Sequence, residues 1–74
     1  MNIESTIMDI LIEILEENNL SRNTILEECS EWDSLAQLSF LGDLEDIGIQ
    51  GISDDEFAAA KTVGDLIDKA MSKL

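Results

Sequence analysis

The sequence predicts an all-α fold: a small four-helix bundle of three main helices and one short helix, with a long first loop. Three observations support this prediction. Apolar residues recur at helical spacing in three stretches, capping residues precede those stretches, and the 74 residues include no proline. A chain of this length has room for one thin core, so residues 1–74 are expected to form a single domain.

The first helix is predicted over residues 3–17, because apolar side chains recur there every three or four residues. Asn2 suits the N-cap position, and the Asn18-Asn19 pair is expected to end the helix. Both ends of this helix are therefore predicted from asparagine residues, because asparagine favours caps over helix interiors.

Residues 18–33 show no clean period and predict a long loop. Leu20, Ile25 and Leu26 are expected to reach the core from it. A loop of this length in so small a domain usually has a functional or packing reason, and this one leads directly to Ser34.

The second helix is predicted to begin at Ser34, with Asp33 as its N-cap, and to end before Gly48, which suits the left-handed position after a helix. Gly42 in its middle costs about 1 kcal/mol relative to alanine, and a close helix contact or a local bend would account for it. The buried stripe is expected to comprise apolar residues spaced by three, with Phe40 beside them: Leu35, Leu38, Leu41, Leu44 and Ile47.

Two capping-box patterns predict the remaining helices. Residues 53–56 have the required spacing, which indicates a short helix over about residues 54–60 that Phe57 anchors in the core. Residues 62–65 repeat the pattern before the last helix, whose apolar positions continue to Leu74. Lysines in its last turns complement the helix dipole.

The composition favours a binding or carrier role and not an enzyme. With 17 acidic and 4 basic residues the net charge is −13, so nucleic acids and anionic membranes are expected to be repelled and basic protein surfaces attracted. The absence of histidine excludes a Ser-His-Asp triad and a Cys-His pair, and the single cysteine excludes an internal disulfide and a structural zinc site. We expect a cytoplasmic monomer with no metal site and no membrane insertion.

Ser34 has the clearest chemical potential. It is predicted on the first turn of the second helix, where unpaired N–H groups and a partial positive charge favour a phosphate-linked group. The chain supplies no base to activate its hydroxyl as a nucleophile. Ser34 is therefore either the attachment point of such a group or a helix-start serine without further role.

Several stretches make the sequence resemble the acyl carrier protein family over essentially its whole length: Trp32-Asp33-Ser34-Leu35, the leucine-striped helix, Asp46-Ile47-Gly48-Ile49 and Thr62-Val63-Gly64-Asp65-Leu66. The resemblance implies that a phosphopantetheinyl transferase attaches 4′-phosphopantetheine from coenzyme A to Ser34. The arm's thiol would carry acyl intermediates as thioesters to partner enzymes in fatty-acid, polyketide or related specialised biosynthesis. It also implies that Asp33 helps to position the transferase's metal ion and that Leu35 packs beneath the serine.

The sequence departs from the family's fatty-acid members just after the serine, where Ala36-Gln37-Leu38-Ser39-Phe40 replaces exposed acidic residues. Trp32 stands where many of those members have a small residue. Both differences favour a free-standing carrier dedicated to one specialised pathway.

Acidic residues return later in the second helix, at Asp43, Glu45 and Asp46. They are either a docking patch for basic surfaces of acyl-loading, acyl-transfer or condensing enzymes, or simply a solvated helix face.

Other functions would use the same residues. An aminoacyl or peptidyl carrier shares the serine and the bundle. An acidic helical adaptor without a prosthetic group would bind a basic helix in a groove and would not need the serine. A calcium sensor would use an EF-hand-like frame whose positions 1, 3, 6 and 12 are Asp43, Glu45, Gly48 and Asp54, although Ile47 then occupies a ligand position.

Large and sulfur-containing side chains also have two interpretations each. Trp32 either anchors its loop or shields the serine and contacts partners. Cys29 is either a small buried hydrophobe or a reactive thiol, and we expect the first because acidic neighbours discourage thiolate formation. Four side chains either pack in the core or line a cavity that shelters a carried acyl chain: Met8, Phe40, Phe57 and Met71.

Overall fold

A computed structural model describes residues 2–74, in which the chain forms four helices: α1 (Ile3–Leu15), α2 (Ser34–Asp46), α3 (Asp54–Ala59) and α4 (Val63–Met71). The long loop between α1 and α2 contains a 3₁₀ turn at Leu26–Glu28. The predicted fold class is confirmed, because three longer helices and one short helix surround a single apolar core. The largest fully buried side chains come from α1, α2, α4 and the segment after α2: Phe40, Ile7, Leu11, Leu44, Ile49, Leu66, Ile67 and Val63.

The first helix begins as predicted. The Asn2 Oδ1 accepts hydrogen bonds from the backbone N–H groups of Glu4 and Ser5, at 2.9 and 3.3 Å. One face of α1 then enters the core at positions spaced by four: Ile7, Leu11 and Leu15. The spacing of apolar residues in the sequence was therefore sufficient to identify this helix and its buried face.

The predicted end of α1 at Asn18-Asn19 is wrong. The helix stops at Leu15 because Glu16 adopts a left-handed conformation with φ of 53°. The N–H groups of Glu16 and Glu17 both donate to the Ile12 carbonyl oxygen, which completes the C-terminal turn. A residue with a side chain thus occupies a conformation that usually belongs to glycine.

Replacing Glu16 by glycine is expected to raise the free energy of unfolding by about 1 kcal/mol, because the left-handed conformation crowds the Cβ of any other L-residue. Urea unfolding monitored by circular dichroism measures the change. The control is Glu16→Gln, which removes the same charge and keeps the Cβ. Equal stabilities of the two variants would show that the backbone conformation at this position costs nothing.

The buried face of α2 differs from the predicted stripe. Phe40 and Leu44 are fully buried and Ala36 nearly so, whereas Leu35 and Leu38 are 73% and 65% exposed. The physical reason is the spacing, because a step of three residues falls about 60° short of a full helical turn. Five positions spaced by three therefore spread over about 240° of the helix surface and cannot share one face.

The end of α2 follows the prediction. Gly48 has φ of 89°, the left-handed conformation expected after a helix. Its N–H donates to the Glu45 carbonyl oxygen at 3.1 Å, and the Ile49 N–H donates to the Leu44 carbonyl oxygen at 2.9 Å. These two bonds define a Schellman motif, and Ile49 is fully buried against the core.

Both predicted capping boxes are present, at Ser53 with Glu56 and at Thr62 with Asp65. Phe57 is buried, as expected for the anchor of α3. The Glu56 carboxylate also connects α3 to the end of the chain. Its Oε2 lies 2.9 Å from the Lys73 Nζ and 3.5 Å from the Lys69 Nζ.

The pKa of Glu56 is lowered from 4.5 to about 2, first by the hydrogen bond from the Ser53 N–H and then by Lys73 and Lys69. A carboxylate whose folded pKa is depressed stabilises the fold above its unfolded pKa and loses that contribution as the pH falls through the folded pKa. We therefore expect Glu56→Gln to be less stable than the wild type at neutral pH, with a difference that narrows between pH 4.5 and about 2.

Urea unfolding of the wild type and Glu56→Gln at several pH values measures this difference. Glutamine can still cap the helix, and the comparison cancels the relief of charge repulsion by the other carboxylates, which both proteins share. A difference that is independent of pH would contradict the assignment to the Glu56 charge.

The last helix ends at Met71, short of the predicted Leu74. The Ser72 hydroxyl donates to the Lys69 carbonyl oxygen at 2.6 Å, and the Lys73 N–H donates to Ala70, three residues back, at 3.1 Å. The hydrogen bond from the Ser72 hydroxyl competes with the backbone hydrogen bonds of the α-helix, and the last turn tightens. Met71 and Leu74 are 37% and 66% exposed, so the predicted placement of Met71 in the core or in the lining of a cavity is wrong.

The long first loop is joined to the start of α4 by backbone hydrogen bonds. The Val63 and Gly64 N–H groups donate to the Thr24 and Arg22 carbonyl oxygens, each at 2.9 Å. Loop carbonyl groups thereby satisfy N–H groups that a helix N-terminus leaves unpaired. The buried Gly64 allows this approach, because a Cβ there would lie 2.9 Å from the Arg22 carbonyl oxygen.

Two of the three predicted loop contacts with the core are present. Leu26 is buried and Leu20 is partly buried against the core, but Ile25 is 43% exposed. Ile25 pairs with Thr62 in an isolated antiparallel bridge, and side chains alternate between two sides in extended backbone. With Leu26 directed inward, Ile25 is left on the outer side.

Candidate functional site

Ser34 is the first residue of α2 and is exposed to solvent. Asp33 caps this helix: its Oδ1 accepts a hydrogen bond from the Ala36 N–H at 2.9 Å, and its carbonyl oxygen accepts one from the Gln37 N–H at 3.0 Å. The Ser34 hydroxyl therefore lies at the positive end of the helix dipole. A phosphate-linked substituent there would be stabilised by about 0.3–1 kcal/mol.

Aromatic contacts fix the turn that precedes Ser34. Trp32 packs edge-to-face on Phe40 of α2 and on Phe57 of α3, with ring centroids 6.0 and 5.9 Å apart. The rings of Phe40 and Phe57 also contact each other at 6.2 Å. Trp32 therefore anchors the loop, and through it the turn at Ser34 is held against both helices.

A depression of about 290 Å³ adjoins the serine. It is formed by residues of α2 and α3, both polar and apolar: Ser34, Gln37, Leu38, Leu41, Asp54 and Phe57. The sequence did not connect Gln37 or Asp54 with Ser34, and it suggested Asp54 only as a calcium ligand. Helical spacing could have identified Gln37, three residues after Ser34, whereas Asp54 is brought to the site by tertiary packing.

The expectation that Leu35 packs beneath the serine is wrong. Leu35 is 73% exposed, and the buried neighbour of Ser34 in α2 is Ala36. Leu38, one turn further on, is also exposed. The outer face of α2 next to Ser34 is thus apolar. The sequence did not indicate this apolar surface, because its leucines were predicted to be buried.

Asp43, Glu45 and Asp46 are all exposed in the last turns of α2. They lie at the opposite end of the helix from the serine, because the nine residues from Ser34 to Asp43 rise by about 14 Å. The outer face of α2 is therefore apolar near the serine and acidic at its far end.

The calcium-sensor interpretation does not fit the structure. Asp43 and Glu45 belong to α2, whereas an EF-hand frame requires these positions in a loop. Within residues 2–74 no group of three or more His, Cys, Asp or Glu side chains is arranged to hold a metal ion.

Cys29 is partly buried in the first loop, and its thiol donates to the Ile25 carbonyl oxygen at 3.6 Å. Burial raises the pKa of this thiol, and the nearby carboxylates of Glu17 and Glu28 raise it further. A thiol in this environment stays protonated at neutral pH and is a poor nucleophile, as the sequence predicts.

Comparisons with known proteins agree with the fold. Neither a protein-family model nor a curated protein sequence matches the chain. Among solved structures, the solution NMR structure of a holo acyl carrier protein from Geobacter metallireducens is similar, with a TM-score of 0.72 and 26% sequence identity over 99% of this chain and 86% of that chain. None of the helices in residues 2–74 combines the length and apolar character needed to cross a bilayer. We conclude that this chain has the fold of an acyl carrier protein.

Proposed function

We propose that this chain is an acyl carrier protein that bears 4′-phosphopantetheine on Ser34 and delivers acyl groups between enzymes in the cytosol. The observation that carries the proposal is the exposed Ser34 hydroxyl at the capped start of α2, in a fold shared with a holo acyl carrier protein. In this role the chain is a carrier and the chemistry belongs to its partners.

The residues around Ser34 fit such an arm. Its hydroxyl is free to form a phosphodiester when the arm leaves coenzyme A, and the helix N-terminus favours the added negative charge. The adjoining depression offers Gln37 and Asp54 as hydrogen-bonding groups and Leu38 and Leu41 as apolar contacts. When bound, the arm supplies the thiol that holds the acyl group as a thioester.

The outer face of α2 is the surface that we propose for partner enzymes. Leu35 and Leu38 provide apolar contact next to the serine, and the acidic residues at the far end would attract basic side chains: Asp43, Glu45 and Asp46. Gly42 supports this assignment, because nothing lies within 4 Å of the position of its missing Cβ apart from its chain neighbours and the backbone of its own helix. No contact within the described residues therefore explains why position 42 is a glycine. A partner that approaches α2 closely at this position would explain it.

The variant Asp33→Asn is expected to keep the fold and to be modified at least about tenfold more slowly. Asparagine is as good an N-cap as aspartate, but it removes the carboxylate that we propose helps to position the transferase's metal ion. The rate is measured by following the intact mass during the transferase reaction.

The matched control is Asp54→Asn, because Asp54 lines the same depression and carries the same charge. If modification slowed equally in the two variants, the effect would come from the loss of a negative charge near Ser34 and not from a specific role of Asp33. An unchanged rate of modification in Asp33→Asn would show that Asp33 acts only as the cap of α2.

The proposed function is tested by loading the chain from acetyl-coenzyme A with Mg²⁺ and a broad-specificity phosphopantetheinyl transferase. We expect a mass gain of one acetyl-phosphopantetheine. Neutral hydroxylamine should then remove the acetyl group and leave the arm, because a thioester is cleaved and a phosphodiester is not. An acetyl group that resists hydroxylamine, or a chain that gains no arm, would contradict the carrier role.

A further inference from the structure

Trp32 is the main attachment to the core of the segment that leads into Ser34. Leu26 and Ala36 are buried, and seven of the nine residues between them are exposed, at positions 27, 28, 30, 31 and 33–35. The other two, Cys29 and Trp32, are partly buried and pack against the core. An aromatic side chain buries far more apolar area than a thiol, so the position of this segment depends chiefly on Trp32.

The Trp32 ring joins the first loop to two helices. It packs edge-to-face on Phe40 of α2 and on Phe57 of α3, with ring centroids 6.0 and 5.9 Å apart. The Trp32 N–H also donates to the Cys29 carbonyl oxygen at 3.0 Å, which fixes the backbone of the preceding turn. Contacts between aromatic rings prefer defined geometries, so they hold the direction of the chain as well as its distance from both helices.

Asp33 transmits this position to Ser34. It lies between Trp32 and Ser34 and has an extended backbone, with φ of −132° and ψ of −171°. Its Oδ1 accepts a hydrogen bond from the Ala36 N–H at 2.9 Å, and its carbonyl oxygen accepts one from the Gln37 N–H at 3.0 Å. Asp33 is itself exposed, so a shift of Trp32 would move both the cap of α2 and the Ser34 hydroxyl.

The transfer of a group to Ser34 depends on where its hydroxyl lies. A misplacement of a reacting group by about 1 Å can cost about 100-fold in rate. Ser34 is exposed and its neighbour Leu35 is 73% exposed, so neither side chain fixes the turn by packing. The turn is held instead by Trp32 on one side and by the buried Ala36 on the other.

We propose that Trp32 is a positioning residue for the attachment of phosphopantetheine to Ser34, an inference that rests on the proposed function. In that reaction the Ser34 Oγ forms a bond to the pantetheine phosphorus of coenzyme A while the pyrophosphate bond breaks. The adenosine bisphosphate leaves with the electron pair, and the serine proton passes to a base of the transferase. Trp32 contacts none of the reacting atoms and acts through Asp33, by holding the hydroxyl and the neighbouring carboxylate in place.

The variant Trp32→Leu tests this role, because leucine keeps an apolar side chain and removes the ring contacts. We expect its kcat/KM in the transferase reaction, followed by intact mass, to fall at least about tenfold. Trp32→Phe keeps an aromatic ring and is expected to stay within about threefold of the wild type. Circular dichroism verifies that both variants are folded.

Amide hydrogen exchange of the unmodified chain, measured by NMR, gives a readout that does not involve the transferase. The N–H groups of Ala36 and Gln37 report on Asp33, because both are bonded to it. We expect Trp32→Leu to raise their exchange rates at least about tenfold relative to the amides of α4. A slower transferase reaction with unchanged exchange would overturn the proposal, because Trp32 would then contact the transferase directly.

Two further variants separate positioning from general stability. Phe57→Leu removes a ring on which Trp32 packs and leaves Trp32 in the chain. We expect it to slow the attachment and to raise the exchange of the same two amides, and it tests the proposal even if Trp32→Leu is unfolded. Ile67→Val shortens a fully buried side chain of α4, outside the aromatic cluster, and should keep the wild-type kcat/KM. An equal fall in Ile67→Val would overturn the proposal, because lower stability alone would then account for it.

The remaining outcomes separate this proposal from the proposed function. A wild type that gains the arm, together with a folded Trp32→Leu that gains it at the same rate, overturns the positioning role and leaves the carrier function standing. A folded wild type that gains no arm overturns both, because no attachment to Ser34 then takes place.

Discussion

Truncating Phe40 to alanine is expected to lower the free energy of unfolding by about 3–5 kcal/mol. Phe40 is fully buried, and its ring contacts both Trp32 and Phe57. Its removal leaves a cavity in a thin core and also loosens the anchor of the Ser34 turn. Urea unfolding measures the loss, and the milder Phe40→Leu variant keeps the measurement possible if Phe40→Ala is unfolded without denaturant.

The matched variant is Leu38→Ala on the opposite face of α2. Because Leu38 is 65% exposed, we expect its truncation to change stability by no more than about 0.5 kcal/mol. The pair separates the observed buried face from the leucine stripe predicted by the sequence. If Leu38→Ala lowered the free energy of unfolding as much as Phe40→Ala, the result would contradict the observed buried face and support the predicted leucine stripe.

Replacing Gly64 by alanine is expected to destabilise the fold by about 1–3 kcal/mol. The new Cβ would lie 2.9 Å from the Arg22 carbonyl oxygen and 3.2 Å from the Arg22 Cβ, so the loop backbone would have to move. That movement strains the hydrogen bond from the Gly64 N–H to the same carbonyl oxygen. Thermal and urea unfolding measure the effect.

Gly42→Ala is the matched control, since Gly42 is also helical but is exposed with open space around it. We expect this substitution to stabilise the protein by about 1 kcal/mol, the ordinary advantage of alanine in a helix. Changes of the same sign in the two variants would show that helix propensity, and not the approach of the first loop, determines the effect at Gly64.

The helices and caps could be predicted because their signals are local. A cap needs a polar side chain within three residues of the N–H groups that it satisfies, as with Asn2, Ser53 and Thr62. Gly48 is equally local, because the left-handed conformation after a helix selects glycine. The position of Ser34 at the start of α2 follows from the same kind of signal.

The predictions that failed depended on contacts between distant residues. The sequence of α2 offers leucines on several sides, and only packing against α1 and α3 decides that Phe40 faces inward. Glu16 carries no local sign of a left-handed conformation. Position 64 requires glycine because of the carbonyl group of Arg22, which is distant in the sequence.

Attachment of the prosthetic arm to Ser34 is measured by intact mass after reaction with coenzyme A, Mg²⁺ and a phosphopantetheinyl transferase. The wild type is compared with Ser34→Ala and with Ser39→Ala, which removes another exposed hydroxyl from the same helix. We predict a gain of one phosphopantetheine in the wild type and in Ser39→Ala, and no gain in a folded Ser34→Ala. A modified Ser34→Ala, or a folded wild type that takes up no arm, would contradict the account.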